Sequence, residues 1–138
     1  MRTLPVFKGF YKIVLAPAAK AGFGIHRQVA GYNFFTIGAQ HFIAAAKKAD
    51  VILYVGGEES VLSGEGHSRG DIRLPGVQQE LIAQLAATGK PLVQVIMAGR
   101  TIQLDQTLEQ SMALLMAWHP GTMGGPALVD VLYGEVSP

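Results

Sequence analysis

There is no cysteine among the 138 residues. That excludes disulfide bridges and any metal site built on thiolates. It leaves the compartment open, since an exported chain can also lack cysteine. Charge is scarce and nearly balanced: charged residues make up 15% of the chain, and the formal net charge is +1. Such a balance carries no electrostatic footprint for nucleic acid or for an anionic membrane, so neither is expected as a partner. No apolar run approaches the ~20 residues that span a bilayer. No basic stretch followed by an apolar one opens the chain, so no signal peptide is visible. The four histidines, His26, His41, His67 and His119, show no ligand spacing, and no metal or other cofactor is expected. Repeats, low-complexity tracts and linkers are missing too. What is present is a hydrophobic fraction of 49%, enough to build the core of a single domain spanning residues 1–138.

The apolar pattern predicts an α/β protein. Residues 10–15 read as a first strand, broken by Ala16-Pro17-Ala18-Ala19. Residues 20–38 are poorly legible, with Gln28-Val29-Ala30 a short strand candidate and Gly31-Tyr32-Asn33 a turn. An amphipathic helix is expected over 39–48, where Phe42, Ile43 and Ala46 recur at helical spacing. Continuous apolar Val51 to Val55 predicts a central strand covered on both faces. A helix follows from Val77, with Leu81, Ile82 and Leu85 on one face and Gly89 as its stop. Leu92 to Met97 is a third strand, Ile102 to Leu104 a brief extended piece, and Gln106 to Gln110 a short helix. Ala113 to Trp118 reads as a fourth strand, although its Ala/Leu/Met content suits a helix equally well. A last helix covers Pro126 to Leu132 and Gly134 closes it. The alternation implies a mostly parallel sheet with helices on both faces, layered as in flavodoxin.

The central strand breaks at Gly56-Gly57 into a polar loop that holds Glu58, Glu59, Glu65, His67, Arg69 and Arg73. Loops at the carboxyl ends of parallel strands are where open α/β sheets place their chemistry. Glu65 lies between Gly64 and Gly66, which frees the backbone to present it at unusual angles. Gly64-Glu65-Gly66 is no dinucleotide fingerprint: Arg69 stands where the third glycine belongs, and the motif begins well past the strand. Gly89-Lys90 is followed by proline, so there is no phosphate loop either.

Several blocks in order carry a family resemblance. They are Gly56-Gly57-Glu58-Glu59, Leu62 to Arg69, Asp71 to Gln78, Thr88 to Val93, Met97 to Arg100, Ala117 to Ala127, and Asp130 to Pro138. Together they resemble the C-terminal α/β-sandwich domain of glycoside hydrolase family 3, above all bacterial periplasmic β-glucosidases. The resemblance covers residues 43–138; before it only Lys12 to Pro17 looks like the family's opening strand.

The resemblance implies part of a retaining glycosidase. In the family an aspartate nucleophile sits on a separate (β/α)8 barrel, and the general acid/base can be a glutamate in this loop. Glu65 occupies that motif position. One carboxylate attacks the anomeric carbon; the other protonates the leaving oxygen and then activates water. The barrel is absent here. The chain is therefore expected to carry half an active site, to be inactive by itself, and to hydrolyse terminal β-glucosides only beside a barrel that supplies the nucleophile. Periplasmic or secreted placement is implied as well. The competing expectation is a non-catalytic carbohydrate-binding or oligomerisation module derived from the same domain.

Other residues divide between sharp and bland readings. His67 and Arg69 are the candidate substrate-binding residues beside Glu65. Arg69 either pairs with a loop carboxylate or stands exposed, and a surface histidine is the plainer reading of His67. Glu58 and Glu59 are expected to face water at the strand end, with sugar binding as the alternative. Asp71 and Arg73 are expected to fix the loop's exit, and Arg100 to hold a carboxylate structurally. Trp118 is expected in the core, with sugar stacking as the sharper alternative. Gly121, Gly124 and Gly125 are read as tight packing before the last helix.

Overall fold

A computed structural model describes Ile13–Pro17 and residues 34–138, with side chains from Gln40 onward except that of Ser60. Chain order is β1 (Ile13–Pro17), α1 (Phe34–Ala46), β2 (Val51–Gly57), α2 (Gln78–Ala86), β3 (Leu92–Met97), α3 (Asp105–Glu109), β4 (Ala113–Met116) and α4 (Gly124–Tyr133). The strands form one sheet in the order β1-β2-β3-β4, parallel throughout.

A sequential parallel order fixes where the crossover helices lie. Right-handed connections that always step in the same direction put their helices on one face. Packing agrees. Ala46 of α1 and Leu81, Ile82 and Leu85 of α2 share a core with Ile52 and Tyr54 of β2 and Leu92 and Ile96 of β3. The short helix α3 belongs to the same face, since the Gln94 amide of β3 donates to the carbonyl of Thr107 at 2.9 Å and to the Ser111 hydroxyl. The opposite face carries Val51, Val93 and Val95, packed on Leu132 and Leu128 of α4. Among the described residues, helices thus cover both faces, three on one and one on the other. The continuous apolar run of β2 follows from this: alternate residues enter different cores.

Most elements lie where the periodicity puts them, and the differences have local causes. The strand expected over 10–15 is seen at Ile13–Pro17 and runs through Ala16 and Pro17. Proline is tolerated there because β1 stands at the edge of the described sheet. The short strand and turn expected over 28–33 lie outside the described residues. Helix α1 begins at Phe34, five residues before the periodic stretch, and β2 continues through Gly56 and Gly57. The extended piece near Leu104 amounts to a single parallel bridge between Arg73 and Gln103. Ala113 to Met116 is a strand, which settles the helix alternative. Gly134 closes α4 in the left-handed region at φ 75°.

One buried amide joins the main core to the loop. Gln78, first residue of α2, donates to the carbonyls of Gly57 (2.7 Å) and Pro75 (3.0 Å). Its Oε1 accepts from the Gly57 N–H (2.9 Å) and the Tyr54 hydroxyl (2.7 Å). The end of β2 and the start of α2 are therefore held as one unit. Burial pushes the Tyr54 phenol well above its ordinary value.

Candidate functional site

Three described loops gather at the carboxyl end of the sheet: 58–77 after β2, 98–104 after β3, and 117–123 after β4. The first leaves the sheet through Gly57, whose φ is 138° and whose place in the register is opposite Met97. Glu58 follows, its N–H donating to the Met97 carbonyl at 2.8 Å.

The Glu58 side chain turns inward and is 0% exposed. A lone carboxylate buried this far would lose its charge, but here both oxygens are matched by guanidinium groups. Arg69 Nη1 donates to Oε1 at 2.7 Å, and Arg100 Nε donates to Oε2 at 3.0 Å. Arg69 and Arg100 keep only 20% and 22% of their side chains exposed. Their other nitrogens reach backbone. Arg69 Nη2 donates to the Arg73 carbonyl at 3.3 Å, and Arg100 Nη2 donates to the carbonyls of Leu62 (2.6 Å) and His67 (2.7 Å).

Between Leu62 and His67 the chain makes a tight excursion. The His67 N–H donates to the Gly64 carbonyl at 3.2 Å, and Gly64 and Gly66 have φ of 113° and 79°. These are conformations that residues with a β-carbon rarely take, so both glycines are required by the turn. Glu65, between them, is exposed. His67 is exposed as well, and its backbone carbonyl is what binds Arg100.

Further on, Arg73 takes both carboxylate oxygens of Asp71, its Nη2 at 2.6 Å and its Nε at 2.9 and 3.1 Å. The Arg73 guanidinium and N–H hold the Asp71 carboxyl well below the usual carboxylate range. The Ile72 carbonyl accepts from the Gln103 N–H at 2.9 Å. Asp71 and Arg73 thus fix the loop's exit as expected, against the loop that follows β3.

On the neighbouring loops, Gly99 faces Ser63 and His119. A β-carbon there would overlap the Ser63 hydroxyl and stand 2.7 Å from His119 Nε2, so glycine lets the three loops approach one another. A β-carbon on Gly124 would meet the Pro120 ring at 2.6 Å, which bears out the tight-packing reading of that glycine.

Three expectations need correction. Gly121 and Gly125 are not held by tight packing, since a β-carbon on either would meet open space. Glu58 does not face water; two arginines far away in sequence make its burial tolerable. Trp118 does not enter the core. Its φ is 54°, its side chain is 53% exposed, and strand pairing ends at Met116, two residues earlier. The left-handed turn at Trp118 carries the chain out of the sheet before the indole can be covered. Arg69 takes Glu58 as its carboxylate, and Arg100 has the structural partner expected of it. Nothing in periodicity marks Glu58 as the centre of the loop; its place between the strand-ending glycines and a loop holding two arginines is the available signal.

Chemically the loop offers carboxylates of different kinds. Glu58 is neutralised and enclosed, while Glu65 is accessible at the tip of the turn. Among the described residues no three His, Asp or Glu side chains come together to hold a metal ion. No described helix is long and apolar enough to cross a membrane.

Layering and sheet order together define an α/β-sandwich domain, with the three loops described above at its carboxyl edge. The chain matches the family model of the glycosyl hydrolase family 3 C-terminal domain over residues 11–138, and it belongs to that family. The match starts well before residue 43, where the motif blocks begin.

The periplasmic β-glucosidase of Salmonella typhimurium is 46% identical over 96 residues, covering 70% of this chain and 12% of that protein. A probable exo-1,4-β-xylosidase of Neosartorya fischeri is 37% identical over 134 residues, covering 94% of this chain and 17% of that protein. Among solved structures, a Listeria innocua β-glucosidase in complex with gluconolactone superposes with a TM-score of 0.80 at 25% identity, covering 96% of this chain and 22% of that one. A family 3 exo-β-xylosidase superposes with a TM-score of 0.67 at 35% identity, covering 72% and 13%. The chain thus spans 12% to 17% of the length of these two sequence relatives.

Proposed function

We propose that this chain, a single sandwich domain over residues 1–138, supplies the general acid/base of a retaining β-glucosidase. Glu65 is that group. It protonates the leaving oxygen of a terminal β-glucoside and then activates water against the glycosyl-enzyme intermediate. The nucleophile comes from a barrel domain, and the chain by itself is inactive. The observation that carries this reading is the position of Glu65. It is an accessible carboxylate at the tip of a carboxyl-edge turn shaped by two left-handed glycines. It stands in a chain of which 70% aligns with a periplasmic β-glucosidase. That relative also supports a periplasmic or secreted setting. His67 and Arg69 border the same turn; His67 has the exposure to meet the sugar, whereas Arg69 is committed to Glu58 and the Arg73 carbonyl.

The test uses the full chain fused to a family 3 barrel domain. Replacing Glu65 by Gln lowers kcat/KM on alkyl β-glucosides by roughly 10²–10⁴-fold, the usual contribution of acid–base catalysis. The kcat/KM on dinitrophenyl β-glucoside, whose leaving group needs no proton, is largely retained, while its kcat falls because water is no longer activated against the intermediate. Equal losses on both substrates overturn the assignment.

A second reading, a non-catalytic carbohydrate-binding or assembly module, is favoured by the exposed apolar side chains of Trp118, Met123 and Val129 around α4. Sedimentation of the chain alone separates the two: a monomer with no affinity for glucosides speaks against the module.

A further inference from the structure

Arg100 lies 35 residues after Glu65 in sequence, yet one of its nitrogens grips the backbone on both sides of that residue. Its Nη2 holds the carbonyl of Leu62, three residues before Glu65, and that of His67, two residues after. Its Nε holds Glu58 at the root of the loop. The turn that carries Glu65 is thereby closed on a group anchored just past the end of β3. The glycines give the turn its shape, but glycine resists few alternative shapes. A clamp from outside the loop is what selects one. We propose that Arg100, oriented by Glu58, is a positioning residue for Glu65, and that its loss is felt as a failure of proton transfer to the leaving group. This rests on the assignment of Glu65 as acid/base.

The guanidinium is specific for the task. It directs Nε at the carboxylate and Nη2 at the two carbonyls, in a fixed fork. A lysine can keep the charge beside Glu58 and has three N–H donors, but they leave one nitrogen, whereas the guanidinium addresses the carboxylate and the two carbonyls from separate nitrogens in a planar fork. Arg100→Lys therefore separates positioning from simple charge pairing, and it is less prone than Arg100→Ala to leave Glu58 buried and unmatched.

The experiment takes the full chain fused to a family 3 barrel and compares wild type, Glu65→Gln and Arg100→Lys on an alkyl β-glucoside and on dinitrophenyl β-glucoside. For Arg100→Lys the expected result is a kcat about 10²-fold lower on the alkyl substrate, the scale of a catalytic group displaced by an ångström. KM on the alkyl substrate stays near wild type, and kcat/KM on dinitrophenyl β-glucoside, which reports bond cleavage before water is activated, is largely kept. Amide exchange of residues 63–67 in the full chain rises in the same variant while that of β3 does not. Equal losses on both substrates, or no loss on either, overturn the inference. If Glu65→Gln shows the leaving-group dependence and Arg100→Lys does not, the inference alone fails. If Glu65→Gln lacks it as well, the acid/base assignment fails and the inference with it. Should Arg100→Lys melt far below wild type, unchanged exchange at 63–67 in Arg100→Gln overturns the clamp, and faster exchange confined to that turn supports it.

Discussion

The carbonyl oxygen of Met97 occupies the space that a β-carbon on Gly57 would need. The obstacle is backbone of the central sheet, so no rotamer change relieves it, and the φ of 138° adds its own strain. Gly57→Ala is expected to cost at least ~3 kcal/mol of stability, strain and overpacking together. Urea unfolding measures it. Gly70→Ala, where a β-carbon meets open space, serves as the control and changes stability little.

Glu58 is the second point at which a single atom change is expected to matter. Glu58→Gln keeps the shape but removes the charge that matches Arg69 and Arg100. Breaking a buried pair on one side costs about 3–5 kcal/mol, and partial exposure of the two arginines argues for the lower end. Denaturant titration of the variant reads this directly. Retention of wild-type stability contradicts the account of a neutralised internal anchor.

Tyr54 sets an alkaline limit. Its phenol pKa is raised in the fold, so the folded chain keeps a proton that the unfolded chain gives up near pH ~10. Stability attached to this group is full below that pH and falls as pH rises beyond it. Tyrosinate absorbance of wild type minus Tyr54→Phe should therefore show Tyr54 ionising only together with unfolding. A separate step near pH ~10 in the folded protein contradicts the burial that raises this phenol.

Asp71 behaves in the opposite sense. Arg73 depresses its pKa, so any stability from the pair is present above the ordinary carboxylate value and is lost as pH falls through the depressed one. Both side chains are more than half exposed, so the gain is small and fades in salt. A carboxyl carbon titration is expected to show Asp71 still ionised where ordinary aspartates have taken up their protons, and Arg73→Gln should return it to the ordinary range.

Much of the architecture was legible. β3 is bounded as its apolar run predicts, because a central parallel strand is buried on both faces and needs no alternation. The unusual backbone around Glu65 was legible through the glycines on either side of it. The internal geometry of the loop was not. Glu58 pairs with residues 11 and 42 positions away, and no periodicity links such partners. A strand-end glutamate looks solvated until its arginines are found. Gln78 was hidden similarly, since a glutamine at a helix start reads as surface although this one is buried with its amide fully used. Trp118 misled because apolar runs predict burial and cannot show the left-handed turn that ends one. The start of α1 was missed because residues 20–38 carry no clear period.

The central claim is that Glu65 works as the acid/base beside a nucleophile from another domain. The most direct measurement is hydrolysis of an alkyl β-glucoside by the chain alone and by its fusion to a family 3 barrel, each with and without Glu65→Gln. The account predicts no turnover by the chain alone, turnover by the fusion, and a large fall in the fusion on replacing Glu65. Turnover by the chain alone that depends on Glu65, or a fusion indifferent to Glu65, contradicts it.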